Sequence, residues 1–181
     1  MTENAESNME WYVLRDLKRA NSKLPAYKLL EENGFEVFTP MKWRIATRKG
    51  TRIREIVPVI PDLLFVKSTR DKLNPLVEKV ATLQYRYGRG NSFKSPMTVP
   101  FKEMENFMKI AKSSLSATYV LPEEITPSMY GKKISIVGGP LDECEGYLIT
   151  LRGSKRKRIL VELTGLLAVR AEVDPEFIRF C

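Results

Sequence analysis

Residues 113–129 read SSLSATYVLPEEITPSM, and this stretch does most to limit what the chain can fold into. It holds serines, two prolines and no basic residue, and its apolar residues recur at neither helical nor strand spacing. Such a segment reads as a linker. It divides the chain into a longer part, residues 9–112, and a shorter part, residues 130–181. Each is small enough that its core must pack efficiently to repay the entropy of ordering it.

The longer part alternates strand and helix signals. Residues 11–15 (WYVLR) are short and β-prone. Pro25 then sits in the first turn of a half-buried helix carrying Ala26, Leu29 and Leu30, with Asn33-Gly34 as its stop. Residues 35–43 (FEVFTPMKW) read as a strand, and residues 44–54 as a basic excursion turning at Lys49-Gly50. Two extended runs, 55–60 and 63–67, flank Pro61-Asp62. Asn74-Pro75 looks like a helix start, asparagine as cap and proline at the first helical position. Leu83, Tyr85 and Tyr87 alternate at strand period, and Pro100 opens a helix with Met104, Phe107, Met108 and Ala111 on one stripe. The expected fold is an α+β N-terminal domain, a split βαβ antiparallel sheet with flanking helices.

The shorter part has strand period throughout. Five short β-branched runs, near residues 132–137, 147–152, 158–163, 166–173 and 177–180, are punctuated by Gly138-Gly139-Pro140, Gly146, Gly153 and Gly165. They predict a small all-β barrel, and the glycines with the β-branched residues argue against an all-helical state.

Composition narrows the function. The chain has no histidine, which removes the commonest general base, the usual triads and every Cys/His zinc arrangement. Cys144 and Cys181 stand far apart in sequence, a poor start for a disulfide. No enzyme activity, cofactor or metal is expected. The 30 Lys and Arg outnumber 22 Asp and Glu, for a net charge of +8, and residues 9–112 carry most of the excess, so a nucleic acid is the expected partner. The polar opening, with Glu3 and Glu6, lacks the basic start and apolar core of a secretory signal. A monomer in the cytoplasm, with no membrane contact, is expected.

Several landmarks in order resemble one family. The Trp11-Tyr12-Val13-Leu14 strand and the segment Val59-Ile60-Pro61-Asp62-Leu63-Leu64-Phe65-Val66 resemble the NusG N-terminal (NGN) domain and its aromatic-rich Pro-Gly-Tyr segment. Gly131-Lys132-Lys133-Ile134 through Gly146 is similar to the KOW motif, with Gly146 as its central glycine. That glycine is expected in a positive-φ turn between two barrel strands. Residues 84–88 (QYRYG) and 164–169 (TGLLAV) look like the specialised UpxY branch, related to RfaH. The resemblance implies an NGN domain over residues 9–112, a linker over 113–129 and a KOW β-barrel over 130–181. It implies a transcription elongation factor, and more narrowly an operon-specific antiterminator that binds RNA polymerase and the non-template DNA strand to suppress pausing and termination. A general NusG-type factor and a ribosome- or RNA-binding KOW protein are the alternatives.

The family's grip on the clamp helices of the largest polymerase subunit falls here on Ile60, Pro61 and Leu63, with Arg15 nearby. For the DNA strand the resemblance points to Lys18, Arg19 and Lys23, with Asn21 able to read an unstacked base. Arg48, Lys49 and Arg52, with Arg44 and Arg54, form a denser basic cluster on the hairpin, which a solvated loop would explain equally well. Tyr85 and Tyr87, interleaved with Arg86 and Arg89, suit core packing better than base stacking. Lys155-Arg156-Lys157-Arg158 reads first as a charged turn. Family KOW barrels recruit a small ribosomal-subunit protein or the termination factor Rho, and the sequence does not choose between them.

Overall fold

The computed structural model describes residues 9–18, 24–88, 95–113, 117–163 and 165–181. The chain divides into two compact units, residues 1–100 and 101–181.

The first unit is built on strand β1 (Glu10–Asp16). Helix α1 (Ala26–Glu32), strand β2 (Glu36–Phe38) and a long hairpin of β3 (Met41–Arg48) and β4 (Thr51–Pro58) follow. Then come β5 (Leu63–Ser68), helix α2 (Arg70–Lys79), β6 (Leu83–Tyr85) and β7 (Thr98–Val99). The main sheet is antiparallel in the order β2-β5-β1-β6, and β7 pairs with the other end of the same edge of β1. Tyr12 and Leu14 of β1 and Leu64 and Val66 of β5 project from one face onto α1 and α2, where Ala26, Leu30, Leu73 and Leu83 complete a core. Trp11, Val13, Leu63 and Phe65 alternate with these and occupy the opposite face. All four are buried in the chain, and neither α1 nor α2 lies on their side of the sheet.

Helix α1 borrows its cap. Pro25 supplies no side-chain bond; instead the Asp16 carboxylate at the end of β1 accepts from the Ala26 N–H at 2.7 Å and from the Lys18 N–H at 2.9 Å. An anion is thereby placed on the positive end of the helix. Gly34, at φ 81°, ends it as expected. Helix α2 departs from the reading at Asn74-Pro75. It starts a turn earlier, because Thr69 accepts from the Lys72 N–H and Asp71 favours the first turn. Pro75 sits inside it, at the loss of one backbone donor, while Asn74 accepts the Tyr85 hydroxyl at 2.9 Å.

Residues 35–43 are not one strand. Thr39 and Pro40 break the run, and β3 leaves the main sheet to pair only with β4. The two-residue loop has positive φ at both positions, 49° at Lys49 and 79° at Gly50, which matches the twist of a tight hairpin.

The second unit opens with helix α3 (Phe101–Ser113), followed by β8 (Thr118–Val120), β9 (Lys133–Ile136), β10 (Glu145–Thr150), β11 (Lys157–Leu163), β12 (Leu167–Glu172) and β13 (Ile178–Phe180). The five strands expected after residue 130 are present, as an antiparallel sheet in the order β13-β9-β10-β11-β12. Two expectations change. The described part of the expected linker beyond α3, residues 117–129, is not free: Thr118–Val120 adds a sixth strand to the edge of β12, and Ile125, Met129 and Tyr130 pack on a core of Val120, Ile149, Leu160 and Ala168. The prolines there open single 3-10 turns at Pro122 and Pro127. Helix α3, read as the end of the first domain, belongs to the second unit, packing on β11 and β12. Its buried stripe is Met104, Phe107 and Ile110, with Met108 and Ala111 only half-buried.

Gly146 also holds its place for a different reason. It lies within β10, paired with Ile134, and is not among the glycines of positive φ. A Cβ there would stand 2.4 Å from the Leu160 carbonyl oxygen and 2.9 Å from side-chain carbons of Ile159 and Val161. Close approach of strands, not turn geometry, requires the glycine.

Among the described residues no helix is long and apolar enough to cross a membrane.

Candidate functional site

The register of β1 against β5 sets Arg15 directly opposite Leu63. The Arg15 Nε donates to the Asp62 carboxylate at 3.0 Å, and the Asp16 N–H donates to the Asp62 carbonyl at 3.0 Å. The turn between β4 and β5 is thus tied to the first strand, and the proposed polymerase-facing residues come together there. They differ in accessibility. Pro61 is exposed, Ile60 half-buried and Arg15 exposed, whereas Leu63 is 1% exposed and presents no surface in this conformation.

Next to this turn lies a cleft of about 450 Å³, lined by Lys18, Tyr27, Lys42, Arg44, Arg48 and Pro61 with other residues of β4. Lys18 and the hairpin arginines, far apart in sequence, meet here. Its two carboxylates are already engaged. Asp16 caps α1, and Glu55 accepts from Arg44 Nε at 3.1 Å and from Arg48 at 2.8 Å. Lys18 Nζ donates to the Leu24 carbonyl at 2.9 Å, which steers its cation toward the start of α1. With both carboxylates satisfied, Lys18 and Lys42 leave the cleft net positive and suited to an anionic backbone. Arg19, Asn21 and Lys23 lie outside the described residues, as does Arg89.

Glu55 organises the hairpin. Its hydrogen bond from Arg44, reinforced by Arg48, holds its carboxyl below the ordinary carboxylate value. A depressed folded-state pKa stabilises above the unfolded pKa and is lost as pH falls through the folded value. Glu55 is therefore expected to stay ionised, and the clasp closed, at a pH where an unpaired glutamate is half protonated. A carbon-detected NMR titration checks this; an inflection at the value of a free glutamate would mean that the clasp does not form in solution.

The hairpin has two unlike faces, which the sequence reading did not separate. Cross-strand pairing puts Arg44 with Glu55 on the inner face, and Trp43 with Ile56 and Ile45 with Arg54 on the outer face. Trp43 is 57% exposed, Ile45 72% and Ile56 52%. The signal was present in the two-residue spacing of Trp43 with Ile45 and of Arg52, Arg54 and Ile56; reading this stretch as a basic excursion concealed it. Lys49 lies in the turn, and Arg52 and Arg54 are exposed on the outer face. Tyr85 is half-buried against Tyr12, ring centroids 5.7 Å apart, and burial raises its hydroxyl pKa to about 12. It is a packing residue; Tyr87 is exposed.

In the second unit the basic turn is partly neutralised, since Arg156 and Arg158 both pair with Glu172. Tyr130 donates to Glu162, and this bond raises its pKa to about 12. Among the described residues no group of three or more Cys, Asp or Glu is placed to hold a metal ion.

Comparison with known proteins sets these features in a family. A search of curated proteins returned no match. A solved structure of Thermotoga maritima NusG, described for its domain interaction, aligns over 96% of this chain and 97% of that one, at 15% identity and a TM-score of 0.47. The family model described as NusG, transcription termination factor, matches residues 9–108. That match spans more than half of the sequence and takes in the whole first unit from β1 onward, so the chain belongs to the NusG family of transcription factors.

Proposed function

We propose that this chain is a transcription elongation factor that acts as an operon-specific processive antiterminator. Its first unit binds the clamp helices of RNA polymerase's largest subunit through Ile60, Pro61 and Arg15, with Leu63 beneath them. The displaced non-template strand runs through the adjoining cleft, its phosphates met by Lys18, Lys42, Arg44 and Arg48. Holding clamp and strand together suppresses pausing and termination without any chemical step by the factor. The observation that carries the reading is the adjacency, within one family domain, of the Ile60–Pro61 turn and the basic cleft. Operon specificity draws on the likeness of residues 84–88 and 164–169 to the specialised branch. The second unit then recruits a further partner, a ribosomal protein or Rho.

Ile60→Asp tests the polymerase contact. The side chain is half-buried at a turn, so the variant is expected to fold while polymerase capture drops at least tenfold, the effect of losing an apolar anchor worth about 1.4 kcal/mol or more. Capture equal to wild type by the folded variant would overturn the assignment. Transcription on candidate leader templates against unrelated ones separates a specialised factor, active on one template only, from a general one.

A further inference from the structure

The outer face of the β3–β4 hairpin meets the cleft only at Ile56 and Pro58, and its chemistry differs. Trp43 and Ile56 stand directly opposite each other, and Ile45 is opposite Arg54. The Arg54 guanidinium carbon lies 4.3 Å from the Trp43 ring centroid. Along residues 41–58 the only acid is Glu55, and it belongs to the inner face, held by Arg44 and Arg48. The outer face therefore presents an indole, two isoleucines and the cations Arg52 and Arg54, with no carboxylate of the hairpin on the same side. Three large apolar side chains more than half exposed on one ribbon are unusual for a surface that meets only water.

We propose that this outer face is a stacking platform for single-stranded nucleic acid. Two features select that occupant. Among the described residues no carboxylate pairs with Arg52 or Arg54, in a chain of net charge +8, which calls for a polyanion. The aromatic and guanidinium planes beside them are what unstacked bases stack on, whatever their sequence. A duplex keeps its bases inside the stack and cannot use the indole. The inference rests on the reading that the factor meets an opened duplex, and adds a second contact on the far side of the hairpin from the cleft.

The two tryptophans make the test direct. Trp11 is 2% exposed and Trp43 57%, so the solvent-exposed emission reports the hairpin alone. The full chain is titrated with a short oligo(dT) and with a duplex of equal length, at several salt concentrations. Oligo(dT) is expected to quench the exposed emission and the duplex to leave it unchanged. Trp43→Ala should weaken oligo(dT) binding, followed by a label on the oligonucleotide, roughly tenfold, the loss typical of one stacked base. Trp43→Phe should keep most of the affinity. Arg52→Gln with Arg54→Gln should lower the slope of log K against log salt by about 1.4, at about 0.7 per single-strand phosphate contact.

No oligo(dT) binding by the wild-type chain overturns the proposal, and so does unchanged affinity in Trp43→Ala. If Lys18→Gln with Lys42→Gln abolishes binding while Trp43→Ala does not, the platform is refuted and the cleft reading stands. If Trp43→Ala instead loses polymerase capture and keeps oligo(dT), the face is a protein interface and the proposal falls.

Discussion

Gly146→Ala is expected to lower the stability of the second unit by about 2–3 kcal/mol, near the upper end for overpacking a well-ordered site. The added methyl group cannot rotate away. It would stand 2.4 Å from the Leu160 carbonyl oxygen, which belongs to the backbone of the neighbouring strand, and 2.9 Å from carbons of Ile159 and Val161 on either side. Relief requires β10 and β11 to part, and those strands lie at the middle of the sheet. For a domain of this size the expected fall in melting temperature is roughly 10 °C or more. Both tryptophans lie in the first unit, so the transition of the second is followed by far-ultraviolet circular dichroism or tyrosine signals. A Gly146→Ala variant melting with the wild type would show that the strands are not packed this closely.

Leu64→Asp should unfold the first unit. Leu64 is 2% exposed within the cluster that α1 and α2 build on the sheet, and a carboxylate there would be taken out of water among mostly aliphatic side chains. Leaving a charge unpaired in such a site costs more than about 4 kcal/mol, a large share of the stability of a small domain. The readout is Trp11 emission, which should shift to the red as the indole meets water, together with loss of the cooperative melt. Ile60→Asp, four residues away, should keep native Trp11 emission while losing polymerase. The pair separates fold from function within one short segment. Native emission and melting in Leu64→Asp would mean that this face of the sheet is not the core.

Much of the fold was legible because it follows from local rules. The Lys49-Gly50 turn, the Gly34 stop and the five strands after residue 130 each need one residue type at one place. Features settled by distant partners were not legible. Nothing near Thr118, Tyr119 and Val120 reveals that β12 has a free edge fifty residues later, so serine and proline content dominated the reading. Asn74-Pro75 looks like a helix start until Thr69 is seen to supply the cap and Asn74 to serve Tyr85 instead. Gly146 was given a turn's reason, when the structure gives another: the Leu160 carbonyl of the next strand, fourteen residues on, which comes close only once the strands pair. At the candidate site the same limit applied. Lys18 and the hairpin arginines were noticed separately, but only folding puts them in one cleft, and only strand register divides Arg44 and Arg48 from Arg52 and Arg54.

The edge strand β8 and helix α3 decide where this chain can be cut. A fragment beginning at residue 130 would keep the five later strands but lose the helix that covers β11 and β12 and the strand that closes the edge of β12. It would expose the apolar side chains that Met104, Phe107 and Ile110 now cover, beside an open row of backbone donors and acceptors, the combination that drives sheets to associate. A fragment beginning at Phe101 carries both along. The second compact unit thus begins about thirty residues before its strand pattern suggests, and residues 117–129 inside it contribute to its sheet and core.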